Sequence, residues 1–288
     1  MLSFPLLDSL PPCEEHWITS SVGTKLFVRH WLPRGDARNT VVLVHGIYEH
    51  GGRYHHIAER FTRHGFDVWM ADHYGHGRSE GKRGHILNDD HYLDDLALVI
   101  THAQRGSAEK PILFGHSMGG AIAALYAVRN PTTLRALILS APALSVRASS
   151  LMIALGRLAC LFAPSAPLPP PSGLRLPATH NAAWEAWKQA DPLKHDVMTL
   201  RTARFVVDAG AEARAKASTL AIPVLMLLAE VDTYVDNRGA REFFAKLPPG
   251  MSELHEYPGF YHEVCSEVER EKPLSEIEAW LRRIGVLT

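Results

Sequence analysis

The stretch PILFGHSMGGAIAALYAVRN, Pro111 to Asn130, constrains the fold of this chain more than any other. Pro111 to Phe114 is an apolar run of strand length, Gly115-His116-Ser117-Met118-Gly119 is a GxSxG pattern, and Gly120 to Asn130 is rich in Ala and Leu like a buried helix. The spacing predicts a strand, a sharp turn and a helix. At such an elbow Ser117 is forced into an unfavourable backbone conformation that lifts its hydroxyl above the sheet edge, and the helix beneath aims free N–H groups at any nearby anion. Gly115 and Gly119 suit the elbow because side chains there would collide where strand and helix cross. GxSxG alone turns up by chance in roughly one chain in ten of this length, so the order of the other segments has to carry the inference.

That order is an alternation of strands and helices. Glu14 to Ser20 and Lys25 to Pro33 read as an antiparallel edge hairpin, and Thr40 to Val44 as a β-branched strand buried on both faces. Arg53 to His64 has helical spacing, Phe66 to Ala71 is a strand, and Asn88 to Arg105 is a helix opened by Asn88, Asp89 and Asp90. After the elbow come a strand at Leu134 to Ser140, a helix at Ala211 to Thr219, a strand at Ile222 to Leu228, a helix at Asn237 to Leu247, a strand at Ser252 to Tyr257 and a closing helix at Pro273 to Ile284. Between Ala143 and about Asp208 the period breaks down. Six prolines fall from Pro164 to Pro177, flanked by helix-like pieces at Leu151 to Phe162 and Ala182 to Ala190, and the span is too long for a simple connection. The chain therefore divides into a core over 1–142, a cap over 143–207 and a second core segment over 208–288, the class being α/β.

Composition narrows the rest. A net charge of −1 leaves no electrostatic footprint for DNA or RNA, so nucleic acid is not an expected partner. The start, MLSFPLLDSLPPCEEHW, has no basic n-region and is broken by prolines, and no later run approaches the roughly 20 apolar residues of a membrane span, so a cytoplasmic protein is expected. Cys13, Cys160 and Cys265 are odd in number, far apart and without CxxC spacing, and should be free thiols. Seventeen histidines raise the question of a metal, but His73 with His76, and His50 with His55 and His56, lack HxHxDH or HExxH spacing, so neither metal nor cofactor is expected.

A serine hydroxyl is a poor nucleophile at neutral pH and needs a base and an orienting carboxylate. Elbow architectures place them in the order serine, acid, histidine, each in a loop after a strand. Asp232 directly follows the strand IPVLMLL, and His262 follows SELHEY through the loop PGFY. Glu230 and Asp236 compete with Asp232, but Asp236 is placed to cap the helix from Asn237; Asp208 reads as a cap at a helix start, and His255 lies inside a strand pattern. The oxyanion of an acyl-transfer intermediate needs two backbone donors, and the N–H groups of Met118 and Ile47 are the candidates.

The motifs HGIYEHGGRY, DHYGHGRSEGKRG, GHSMGGA and the DTYV around Asp232 together resemble the monoacylglycerol lipase and lysophospholipase branch of the α/β-hydrolases, also labelled serine aminopeptidase-like. The resemblance runs from about Trp17 to Ile284. It implies a mostly parallel eight-stranded sheet flanked by helices, a helical cap over a deep acyl pocket, the triad Ser117, Asp232 and His262, and the oxyanion donors Ile47 and Met118. It further implies that Glu49 and Arg53 hold the loop or the polar head of the substrate, with His116 beside them. Tyr48 stands where relatives often carry a small residue, and APSAPLPPPSG in the cap is this chain's own. The implied activity is cofactor-independent hydrolysis of a lipid-like ester. Each buried CH₂ contributes about 0.8 kcal/mol, so acyl length is expected to outweigh head group. The cap pieces MIALGRLACLF and NAAWEAWKQA, with Trp184 and Trp187, offer apolar surface for lining that pocket, for transient contact with a membrane interface, or for ordinary packing.

Overall fold

The computed structural model describes residues 3–35, 39–105, 107, 109–168, 176–250 and 252–287. Its frame is one eight-stranded sheet of β1 (Cys13–Thr19), β2 (Lys25–Trp31), β3 (Asn39–Val44), β4 (Phe66–Ala71), β5 (Ile112–His116), β6 (Ala136–Ser140), β7 (Val224–Ala229) and β8 (Glu253–Tyr257). The spatial order is β1-β2-β4-β3-β5-β6-β7-β8. Only β1 with β2 and β2 with β4 are antiparallel; the other neighbours run parallel. This is the mostly parallel sheet that the resemblance implies, with the expected hairpin at one edge.

The central strands are apolar throughout because helices cover both faces. One face packs on α2 (His91–Ala103), α3 (Met118–Arg129), α6 (Leu200–Lys216) and α7 (Asn237–Ala245), which contribute Leu96, Ile122, Phe205 and Phe243 to one core. The other packs on α1 (His55–Arg63) and α8 (Glu271–Arg283), through Ile57, Phe61, Ile277 and Trp280. The parallel strands all point their carboxyl ends to one rim, where such folds gather their functional loops.

Between β6 and α6 lie the cap helices α4 (Ser150–Phe162) and α5 (Ala182–Gln189), within a residue or so of their expected bounds. Of the proline-rich piece, residues 169–173 fall outside the described residues; Pro167–Leu168 pairs with Met198–Thr199 as a short antiparallel bridge. Other helix starts shift by up to three residues from the sequence reading, α2 opening at His91 and not Asn88, and one shifts by far more. α6 begins at Leu200, not Ala211, with the Thr199 side chain accepting from the Thr202 N–H, and it runs unbroken across position 208. Val206, Val207 and Gly210 weaken the local helical signal there, and packing on α3 supplies what propensity does not. Asp208 is therefore mid-helix, bonded to Arg157, and not a cap. The three cysteines are free. No helix among the described residues is long and apolar enough to cross a membrane.

Candidate active site

The elbow forms as its spacing dictates. Ser117 sits at φ 54° and ψ −121° between β5 and α3, and the turn is pinned to β6 and the segment after it by Ser117 N–H to the Ser140 carbonyl (3.0 Å) and Ala143 N–H to the Ser117 carbonyl (2.9 Å). The flanking glycines are required sterically. A Cβ on Gly119 would lie 2.1 Å from the Val44 carbonyl oxygen, and one on Gly115 would lie 2.5 Å from that of Gly119. Among the described residues only Tyr48, Ser117 and Ala141 combine a side chain with positive φ, and all three lie just past the carboxyl ends of β3, β5 and β6.

Three residues far apart in sequence meet above this rim. His262 Nε2 is 2.9 Å from Ser117 Oγ, and His262 Nδ1 is 2.7 Å from Asp232 Oδ2. The other Asp232 oxygen accepts the N–H groups of Tyr234 (2.8 Å) and Val235 (3.0 Å), which fixes the carboxylate. Burial pushes Asp232 up, but the charge and hydrogen bond of His262 and the two N–H donors outweigh it, so the carboxyl stays below its ordinary range. Burial likewise pushes His262 down, and the Asp232 carboxylate more than reverses it, leaving the imidazole above its ordinary value. Tyr234 stacks on the His262 ring at 4.8 Å between centroids. The arrangement gives a hydroxyl a proton acceptor of the right basicity and the acceptor a fixed orientation.

The competing groups are engaged elsewhere. Asp236 caps α7, Glu230 accepts the Gly259 N–H, and His255 pairs with Glu253 and Glu276 on the far strand. The Met118 N–H opens α3 and has no carbonyl one turn earlier to receive it. Ile47 lies in the turn after β3, and Gly46 brings that turn so close that an added Cβ would be 3.1 Å from the Ser117 Cβ. Glu49 holds the same loop, accepting the Gly46 N–H (2.5 Å) and the Tyr54 hydroxyl (2.7 Å). His116 packs at 4.9 Å from the His262 ring with Nδ1 on the Ser140 carbonyl; burial and the neighbouring His262 keep it below the usual histidine range and hence neutral.

These groups open into a cavity of about 620 Å³. Ile47, Tyr48, Leu176, Pro177, Ala178 and Tyr234 are apolar parts of its wall, but Glu49, Arg53, Glu185, Lys188, Lys194, Asp196 and Glu263 line it too. The wall is thus more charged than a simple acyl slot. Neither tryptophan of α5 lines it: Trp184 is buried against Phe4 and Trp187 stacks on Trp184.

Several residues of the site carry no sequence signal of their own. Arg53 does not reach a free space but donates from Nε (3.0 Å) and Nη2 (2.9 Å) to Asp191 of the cap, which also meets His50 Nε2 at 2.9 Å. Glu263, beside His262 in sequence, is bound by Lys188 Nζ and Trp184 Nε1, both at 2.5 Å. Burial opposes charge on Glu263, yet Lys188 draws it down to about 2, so an ionised pair joins the cap to the histidine loop. Position next to His262 could have singled out Glu263; Asp191 and Lys188 lie in a segment without motif.

With this geometry in place, comparison with known proteins is direct. A profile of the serine aminopeptidase S33 family matches residues 35–269. The chain is 32% identical over 272 residues to a monoacylglycerol lipase of Mycolicibacterium smegmatis, covering 93% of this chain and 96% of that one. A crystal structure of the Paleococcus ferrophilus monoacylglycerol lipase superposes with a TM-score of 0.82 at 31% identity, over 90% of this chain and 99% of the other. The monoglyceride lipase of Saccharomyces cerevisiae, solved with a substrate analogue, gives a TM-score of 0.86 at 20% identity over 100% and 99%, which speaks to the fold alone. The elbow, the sheet order and the span of these matches lead to one assignment: the chain belongs to the serine aminopeptidase S33 family of α/β-hydrolases.

Proposed function

We propose that this protein is a cofactor-independent serine hydrolase that cleaves carboxylic esters of lipid-like substrates, monoacylglycerols foremost, through an acyl-enzyme. Ser117 is the nucleophile, His262 the general base and then acid, Asp232 the orienting carboxylate, and the N–H groups of Ile47 and Met118 the oxyanion donors. The observation that carries the reading is the continuous hydrogen-bonded line from Asp232 through His262 to Ser117 at the mouth of a cavity. The name of the M. smegmatis relative supports the substrate class.

The charges in the cavity bear on the head group. Arg53 is matched by Asp191, Lys188 by Glu185 and Glu263, and Lys194 stands 3.5 Å from Asp196. Among the described residues of the wall each cation is thus matched by a carboxylate, which favours an uncharged glycerol head over that of a lysophospholipid. Residues 143–207 form the cap over this cavity, between core segments 1–142 and 208–288, the last of them from Leu200 being the first two turns of the core-packed α6. Its helix α4 presents Leu151, Met152, Leu155, Leu158, Leu161 and Phe162 at 54–83% exposure. We assign that face to transient contact with a lipid surface, where substrates of this class reside.

A panel of monoacylglycerols, lysophospholipids, short p-nitrophenyl esters and aminoacyl amides tests the reading. Monoacylglycerols are expected to turn over fastest, and Ser117→Ala is expected to lower kcat by a factor on the order of 10⁶ with the fold intact. Undiminished turnover in Ser117→Ala removes the mechanism; preference for aminoacyl amides moves the substrate to peptides.

A further inference from the structure

The edge hairpin carries a second cluster of ligand-type side chains that shares no residue with the cavity. We propose that Glu14, His16 and His30 form a zinc site at the far edge of the sheet, fastening β1 to β2. In the hairpin register Glu14 pairs with His30, and His16, two residues along β1, points to the same face. One ligand atom from each of the three lies within 4.8 Å of the others. Glu14 Oε2 is 3.3 Å from His16 Nε2 and 3.6 Å from His30 Nδ1. Two ligands of a tetrahedral zinc at 2.0–2.1 Å stand about 3.3–3.4 Å apart, so the two spacings to Glu14 are close to coordination edges.

The surroundings prepare the donors. His30 Nε2 is 2.5 Å from Asp67 Oδ1, and the other Asp67 oxygen accepts Trp69 Nε1–H at 2.8 Å. A carboxylate in that position accepts a hydrogen bond from Nε2–H and leaves the Nδ1 lone pair facing Glu14, the outer arrangement common to zinc-bound histidines. The His30 ring stacks on Trp69 at 3.9 Å and 14°, which holds its plane. His16 Nε2 is covered from solvent and has no hydrogen-bond partner, although the residue as a whole is partly exposed. Two imidazoles and one carboxylate select a borderline ion such as Zn²⁺ over Mg²⁺ or Ca²⁺, and water completes the fourth position. Asp67 is the second residue of β4, whereas the triad sits beyond the opposite, carboxyl ends of the strands. The site therefore lies apart from the triad and bridges the two strands of the edge hairpin on one face.

Untagged protein stripped with EDTA and dialysed against micromolar Zn²⁺ should bind one equivalent. His16→Asn and Glu14→Gln lie on an exposed strand and should weaken that affinity roughly tenfold or more while leaving ester turnover unchanged. Zn²⁺ should raise the Tm of the wild type and of neither variant. Ni²⁺ should quench a tryptophan signal that Trp69→Phe removes and excess Zn²⁺ restores. Zinc uptake equal in the wild type and both variants, or no uptake at micromolar zinc, overturns the proposal; loss of esterase activity in the panel above does not touch it.

Discussion

Helices α3 and α4 are both apolar, yet they occupy opposite environments. In α3 every residue from Met118 to Val128 is buried, whereas among the residues of α4 only Cys160 is. The difference lies in side-chain size and in what stands opposite. α3 uses Gly119, Gly120, Ala121, Ala123 and Ala124 to let strands and α6 approach its backbone, so its position is fixed from all sides. α4 carries Leu, Met and Phe at high exposure, a face that a packed core would cover. One helix holds the turn of Ser117 still; the other, on the reading proposed above, meets a lipid surface.

Four experiments press on that contrast. The largest effect belongs to the end where α3 meets the triad: Asp232→Asn should lower kcat by about 10⁴. It should also move the acid limb of the pH profile. On the proposed mechanism activity needs neutral His262, so in the wild type it rises with pH through a midpoint above the ordinary histidine value of about 6.5; without the carboxylate that midpoint falls and the limb shifts to lower pH. An unmoved limb would mean that another group orients the base. Next, Gly119→Ala must push α3 away from the Val44 and His45 carbonyls, which displaces Met118 N–H, and a loss in kcat of about 10²-fold is expected with lowered thermal stability. Wild-type kinetics in that variant would show that α3 is not rigidly held. Third, Leu155→Glu with Leu158→Glu should cut turnover of monoacylglycerol in vesicles roughly tenfold, as expected for losing two apolar contacts with lipid, and leave a water-soluble ester unaffected. Equal loss on both substrates would assign α4 to packing. The smallest effect is on stability: single polar replacements along α4 should stay within about 0.5 kcal/mol by denaturant titration.

What the sequence disclosed divides along the same line. The strand–elbow–helix stretch announced itself because steric demands fix each residue in place: only glycine fits positions 115 and 119. Asp232 was legible because it follows the unbroken apolar run of β7, and His262 because it comes one short loop after the last strand. The start of α6 was not, since local propensity pointed to Ala211 and contacts with α3 decided otherwise. The cavity wall was not legible either. Apart from Glu49 and Arg53 in the loop after β3, its charged residues come from α5, the loop after it and the histidine loop, and Lys188, Glu263 and the neighbouring Asp191 acquire meaning only when the chain brings them within 3 Å of their partners. The histidines of the edge hairpin escaped notice for the same reason: metal-ligand spacing along one strand is a sequence pattern, and a set shared by two strands is not.

The three non-glycine residues held at positive φ around the rim tie durability to turnover. Each such conformation costs of order 1–3 kcal/mol, which the rest of the sheet must offset. A glycine at position 48 would relax that tension and harden the protein against heat while letting the loop that bears Ile47 wander. Screens that reward melting temperature alone will therefore drift toward sturdier, slower variants at this spot.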